Sequence, residues 1–152
     1  MTEQNISFPK YRFVICFLAL FSGGVLNIIN YIVSPLLTNL ADAYCVSLSA
    51  AGYSRAVITL CMGIGMLGLS TLILKKIGAR KTMILSMGTA AAGAMLTAFA
   101  PTFFIHLAGR ALIGLAFGVN GTACGVLFAT WFPDKEKPAV LTAQTLINTL
   151  FV

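Results

Sequence analysis

The segment Lys75-Lys76-Ile77-Gly78-Ala79-Arg80-Lys81 packs four positive charges into seven residues, and the chain on either side carries almost none. A basic knot between two long apolar runs has few structural solutions. It reads as a short hairpin joining two helices that each cross a bilayer, because cytoplasmic loops collect Lys and Arg. Composition agrees, with 59% hydrophobic and only 9% charged residues; soluble domains carry roughly 25% charged residues. The net charge of +6 sits in gaps between apolar runs, not along a solvated face. That pattern makes the lipid bilayer the partner and speaks against nucleic acid.

A bilayer core about 30 Å thick needs roughly 20 apolar residues in a helix. Candidate spans are 13–33, 50–74, 82–100 and 103–130, with a fifth starting at 140 and incomplete at 152. The expected fold is therefore an all-α integral membrane protein, a bundle of four complete transmembrane helices plus the start of a fifth. If every span crosses, Lys10, Arg12, Lys75, Lys76, Arg80, Lys81, Lys135 and Lys137 all fall on one side. The expectation is a multi-pass cell-membrane protein with its N-terminus in the cytoplasm. The run after Lys10 and Arg12 is too long for a signal-peptide core and lacks a small-residue cleavage site, so it reads as a retained first span. Residues 140–152 would rise only about 20 Å as a helix, short of a crossing. The chain is therefore expected to be a partial N-terminal transmembrane domain of a longer protein, without independent activity. A small four-span protein acting as an oligomeric exporter or assembly partner is the alternative.

Chemistry concentrates in two spans. In the fourth, Arg110, Gly114, Gly118, Gly121 and Gly125 are spaced 4, 4, 3 and 4 apart and fall within about 80° of one another on a helix. Such glycines let a neighbouring backbone come close, or leave room for a solute path. Arg110 lies too deep for easy snorkelling, and a charge there costs at least about 2.5–3.5 kcal/mol on insertion scales. It calls for a polar cavity or a partner, in substrate binding, coupling, gating or structure. His106, one turn outward on the same face, is either structural or handles protons or substrate. With Arg110 it could form a cationic site favouring an anionic solute. In the first span Asn27, Asn30, Tyr31 and Ser34 share one face, which serves as interhelical glue or lines a cavity.

Other features carry less. Arg55 sits near the outer end of the second span, within reach of headgroups. The third span, rich in Gly88, Ala90, Ala91, Ala92, Gly93 and Ala94, is suited to close packing. Trp131 and Phe132 resemble an interfacial aromatic anchor. The four cysteines are scattered singly, with no metal-ligand spacing. Gly63-Ile64-Gly65 followed by Gly68 spells a dinucleotide fingerprint but lies inside an apolar span with no strand before it. No catalytic constellation, metal site or cofactor is expected, and the chain does not read as an enzyme.

Taken in order, these segments resemble the N-terminal part of a major facilitator superfamily transporter. Lys76, Gly78, Ala79, Arg80 and Lys81 match the second half of the basic loop motif between the family's second and third helices. Arg110, Gly114 and Gly118 match its fourth helix. Trp131-Phe132-Pro133-Asp134-Lys135-Glu136-Lys137 with Ala139 resembles the entry to its fifth, and Pro35-Leu36-Leu37 and Ser49-Ala50-Ala51-Gly52 the flanks of its first loop. The resemblance implies two six-helix halves, with the solute path between them near the midplane. It implies alternating access that moves a small solute, with an organic or inorganic anion as one candidate, driven by a coupling ion such as a proton or by an exchanged solute. It also implies that Lys76, Gly78, Arg80 and Lys81 belong to a gating and topology loop, and that the missing C-terminal helices are partners. Two positions depart from the motif: Lys75 stands where the family has an acid, and Thr71 where it has the first glycine. A lysine cannot serve the charge network assigned to that acid, so the loop's gating role is weakened while its topological role stands.

Overall fold

The computed structural model describes residues 12–32, 35–133 and 135–150. Among them every regular element is helical: α1 (Arg12–Tyr31), α2 (Leu37–Ala43), α3 (Leu48–Ile64), a π-helical turn (Gly65–Leu69), α4 (Ser70–Ala98), α5 (Phe103–Trp131) and α6 (Lys137–Leu150). Two starts follow from capping residues. The Ser47 hydroxyl accepts the Ala50 N–H at 3.2 Å, and Thr102 does the same for Ile105 at 3.4 Å. These caps place the starts at Leu48 and Phe103.

α2 is an addition to the expected elements. It ends with Cys45 at φ 52, while Val46 N–H donates to Ala41 O and Cys45 N–H to Asp42 O. This is the left-handed helix terminus usually given to glycine. Tyr44 then ties this end of the bundle to the link between α4 and α5, donating from its hydroxyl to Ala100 O at 3.0 Å.

α5 is the axis of the bundle, with thirteen of its 29 residues buried. What faces it is small or polar. Ala51, Ser54, Ile58 and Gly65 are buried on α3 and the π turn, and Ser70, Thr82, Ser86, Ala90 and Gly93 on α4. The large apolar side chains point the other way, with Leu67, Phe99 and Phe104 all more than 80% exposed. This inversion suits lipid, where oily side chains gain nothing by leaving the bilayer and helix association rests on close backbone packing and hydrogen bonds.

By length and apolarity three helical stretches qualify to cross a membrane: Val14–Tyr31, Leu48–Ala98 and Phe103–Trp131. By that criterion the count differs from the expected four complete spans plus the start of a fifth. The second and third expected spans, 50–74 and 82–100, are not separated by a loop; helix runs through the basic cluster and is broken only at Gly78 (φ 78, ψ 161). α6 has only 14 residues, too few to qualify. The 51-residue run is nevertheless folded on itself. Along α3, Ser54, Ile58 and Met62 meet His106, Gly114 and Gly118 of α5 in rising order. Along α4 the order is reversed, with Ser86 at Asn120, Ala90 beside Ala116 and Gly93 against Gly109. The chain doubles back between the two, and Gly78 holds a backbone conformation essentially reserved for glycine.

The π turn is stabilised locally. Ser70 N–H donates to Gly65 O, skipping the Met66 carbonyl it would bond in a regular α-helix, and the Ser70 hydroxyl takes that carbonyl instead. Near the basic turn Phe132 is buried with Ala19, Cys124 and Phe128, and Met83 and Trp131 pack on this cluster. Phe132 is thus a core residue where the sequence suggests an interfacial anchor, because the chain leaves helix there and turns its ring edge-on to Phe128.

Candidate functional site

The glycine stripe of α5 divides in two. A Cβ on Gly114 would come within 2.5 Å of Ile58 O, and one on Gly118 would collide with Met62 O and the Met66 backbone. A Cβ on Gly121 or Gly125 would meet nothing within 4 Å. The stripe is continuous, but α3 lies alongside only the half nearer Arg110, so the two alternatives read from sequence fall on different glycines. Backbone contact also occurs at Gly65 on Leu115, and Gly93 on Gly109. Gly65 belongs to the false dinucleotide fingerprint, and its real task is this approach of two helices.

Where α3 leaves α5, a cleft of about 40 Å³ opens between α1, α5 and α6. Its lining includes Gly23 from α1, Asn120 and Gly121 from α5, and Gln144 and Asn148 from α6. Asn27 ties α1 to the cleft residue Asn148, donating from Nδ2 to Gly23 O at 3.0 Å and to Asn148 Oδ1 at 2.9 Å. Asn120 anchors the floor. Its Nδ2 donates to Ser22 Oγ at 3.3 Å, and its Oδ1 lies 3.1 Å from the Ser86 hydroxyl. One amide thus joins α1, α4 and α5 in a buried polar layer. No charged residue lines the cleft, and its polar groups are the side-chain amides of Asn120, Gln144 and Asn148.

The cationic residues sit elsewhere. Arg110 is 1% exposed, and its terminal nitrogens donate to Ile29 O at 3.1 Å and Asn30 O at 3.2 Å. Those carbonyls belong to the last turn of α1, the negative end of its helix dipole. Arg110 is a C-cap supplied by another helix; its Nε is buried without a partner. Asn30 enters through its carbonyl. Tyr31 lies beneath Arg55, whose guanidinium carbon is 4.7 Å from the ring centroid. His106 Nε2 is 3.1 Å from Ser54 Oγ, and its ring stacks on Phe103 and tilts against Tyr44. The structure therefore separates two groups that the sequence treats together. Asn27 bonds to the cleft residue Asn148, whereas Arg110, His106, Asn30 and Tyr31 form a clamp at the end of α1 and the start of α5. Ser34 lies outside the described residues. Lys76, Gly78, Arg80 and Lys81 are exposed at the opposite end from the clamp.

Sequence reasoning misses Asn120, Ser86, Gln144 and Asn148. The available signal is an uncharged polar side chain inside an apolar span, which Asn120 and Ser86 both carry. Among the described residues no group of His, Cys, Asp and Glu could hold a metal ion.

A polar cleft within a bundle whose large apolar residues face outward defines a multi-pass helical membrane protein. The chain matches the family model for the Major Facilitator Superfamily over residues 15–151, and it belongs to that superfamily, whose members are transporters rather than enzymes. It is similar to galactose-proton symporters of Escherichia coli (strain K12) and Escherichia coli O6:H1, at 22% identity in each case. The alignments cover 97% of this chain and 32% of the relative, so the chain spans about a third of the length of the curated relatives it matches. No solved structure matches.

Proposed function

We propose that these helices form the front of the N-terminal half of a secondary transporter that carries a small, uncharged, hydrogen-bonding solute by alternating access. One observation carries this reading: Asn120, Gln144 and Asn148 line a small cleft between α1, α5 and α6, too small to enclose a hexose but suited to be one polar wall of a path completed by the remaining helices. It lies near the middle of α1 and α5, the depth at which such transporters hold solute. Amides can donate and accept, which suits the hydroxyl groups of a sugar, the class named for the galactose-proton symporters. An anion would require a cation at the cleft. Arg110, the buried candidate, is committed to Ile29 O and Asn30 O. We therefore favour a sugar-like solute over the anion suggested by sequence.

In this reading Leu48–Ala98 crosses twice, with Gly78 at the turn, and α6 begins the next crossing. The N-terminus and the basic turn face the cytoplasm of a cell-membrane protein, as the clustering of cations favours. Coupling to a proton or to an exchanged solute, and the remaining helices of the same protein, complete the cycle. Arg110 holds the outer end of α1 and takes part in gating through that helix rather than by touching solute.

The test is uptake by the full-length protein in proteoliposomes, with a panel of neutral hexoses and a panel of small organic anions. Gly121→Leu, which fills the cleft, should abolish hexose uptake without loss of folded protein. Uptake confined to anions would overturn the solute class, and full activity in Gly121→Leu would overturn the site. Exposed Cys45 near the outer end offers a topology check. An impermeant maleimide should reach it from outside intact cells, and labelling only after permeabilisation would reverse the orientation.

A further inference from the structure

Lys75, Lys76, Arg80 and Lys81 are all exposed, within seven residues, at one end of the bundle. The turn at Gly78 separates them two and two, so both arms end in a pair of cations facing the same boundary. Ile77 between them is also exposed. Lipid-facing side chains come close on both arms: Leu72, three residues before Lys75, is 66% exposed, and Ile84, three residues after Lys81, is 69% exposed. Three residues of helix rise about 4.5 Å. The four charges therefore stand about one turn beyond the hydrocarbon-facing surface, at headgroup level rather than on a stalk in water. No ion pair involves any of the four among the described residues.

We propose that this basic turn is a binding surface for anionic phospholipid headgroups. The lipid phosphate is the charge that geometry puts within reach, and long Lys and Arg side chains rising from an apolar helix end suit it. Juxtamembrane clusters of four or more such cations attract anionic lipid by about fivefold in partition per cation, an effect confined to roughly a Debye length of the surface. The lysine at position 75 extends the cluster where an acid would have interrupted it. The consequence is a local enrichment of anionic lipid at the Gly78 turn within α4.

The experiment is native mass spectrometry of the full-length protein released from nanodiscs containing equal parts phosphatidylcholine and phosphatidylglycerol. Wild type should carry phosphatidylglycerol in at least fivefold excess over phosphatidylcholine. K75Q/K76Q and R80Q/K81Q should each lose part of that excess, and the quadruple variant most of it. Cys45 labelling from outside serves to select variants that keep their orientation. K135Q should leave the excess intact, because that lysine lies outside the cluster. Undiminished phosphatidylglycerol in both double variants would overturn the proposal. So would release of the lipid by soluble glycerol phosphate, which would make the ligand a free phosphate. This surface does not depend on the solute reading, and loss of lipid with hexose uptake preserved would separate the two.

Discussion

Gly114 and Gly118 differ from Gly121 and Gly125 only in what stands beside them. All four lie on one stripe of α5 at helical spacing, yet the first pair sits backbone to backbone with α3 and the second borders open space. At its Arg110 end the stripe seals: Arg110 caps α1, His106 meets Ser54, and aromatic rings close over them. Towards the middle it opens, and amides replace the packing. A small residue in a membrane helix records that something must come close or that something must fit, and only the neighbouring helix decides which.

The sharpest way to break this contrast is to enlarge both kinds of glycine. Gly118→Leu should cost above about 3 kcal/mol, the upper end of overpacking, because the obstacle is the Met62 and Met66 backbone rather than a side chain that can swing away. Gly121→Leu should unfold in detergent within a few degrees of wild type while abolishing transport. Equal thermal stability of the two variants would erase the distinction. Arg110→Ala comes next, at about 2–3 kcal/mol, because two carbonyls at the end of α1 lose their donors. Arg110→Lys should recover only part of that loss, since one ammonium cannot match the two-pronged guanidinium. A neutral outcome for Arg110→Ala would remove the capping role.

Gly78→Val should cost about 2 kcal/mol through the backbone alone, as φ 78 with ψ 161 is closed to a branched side chain. It tests the reversal rather than either half of the stripe. The smallest effect is expected of Asn120→Ala, about 0.6–1.7 kcal/mol, the range for hydrogen bonds between membrane helices. Its stability loss should be modest compared with any loss of transport, because the same amide both joins three helices and floors the cleft.

Much of this was legible in the sequence, and the reason is physical. Bilayer thickness fixes helix length, so α1 and α5 fall within a few residues of their expected bounds. The expense of a buried charge makes Arg110 conspicuous. What stayed hidden depends on direction and neighbours. Nothing in a row of letters separates Gly118 from Gly121, because their azimuths on α5 are similar and the position of α3 is a tertiary fact. α2 escaped notice because Cys45 occupies a left-handed terminus that normally announces itself with glycine. The fate of Arg110 was equally unreadable, since its partners are backbone carbonyls, which every residue possesses.

The most direct measurement of the central claim is thiol accessibility along the α5 stripe. Cys16, Cys45, Cys61 and Cys124 would first be replaced in the full-length protein, and Gly118→Cys and Gly121→Cys then made singly. A water-soluble methanethiosulfonate should modify position 121 rapidly and leave position 118 inert, and the solute transported in the uptake assay should slow the reaction at 121. Reaction at 118 as fast as at 121, or no reaction at either, would contradict the division of one glycine stripe into a sealed half near Arg110 and a half that opens onto the cleft.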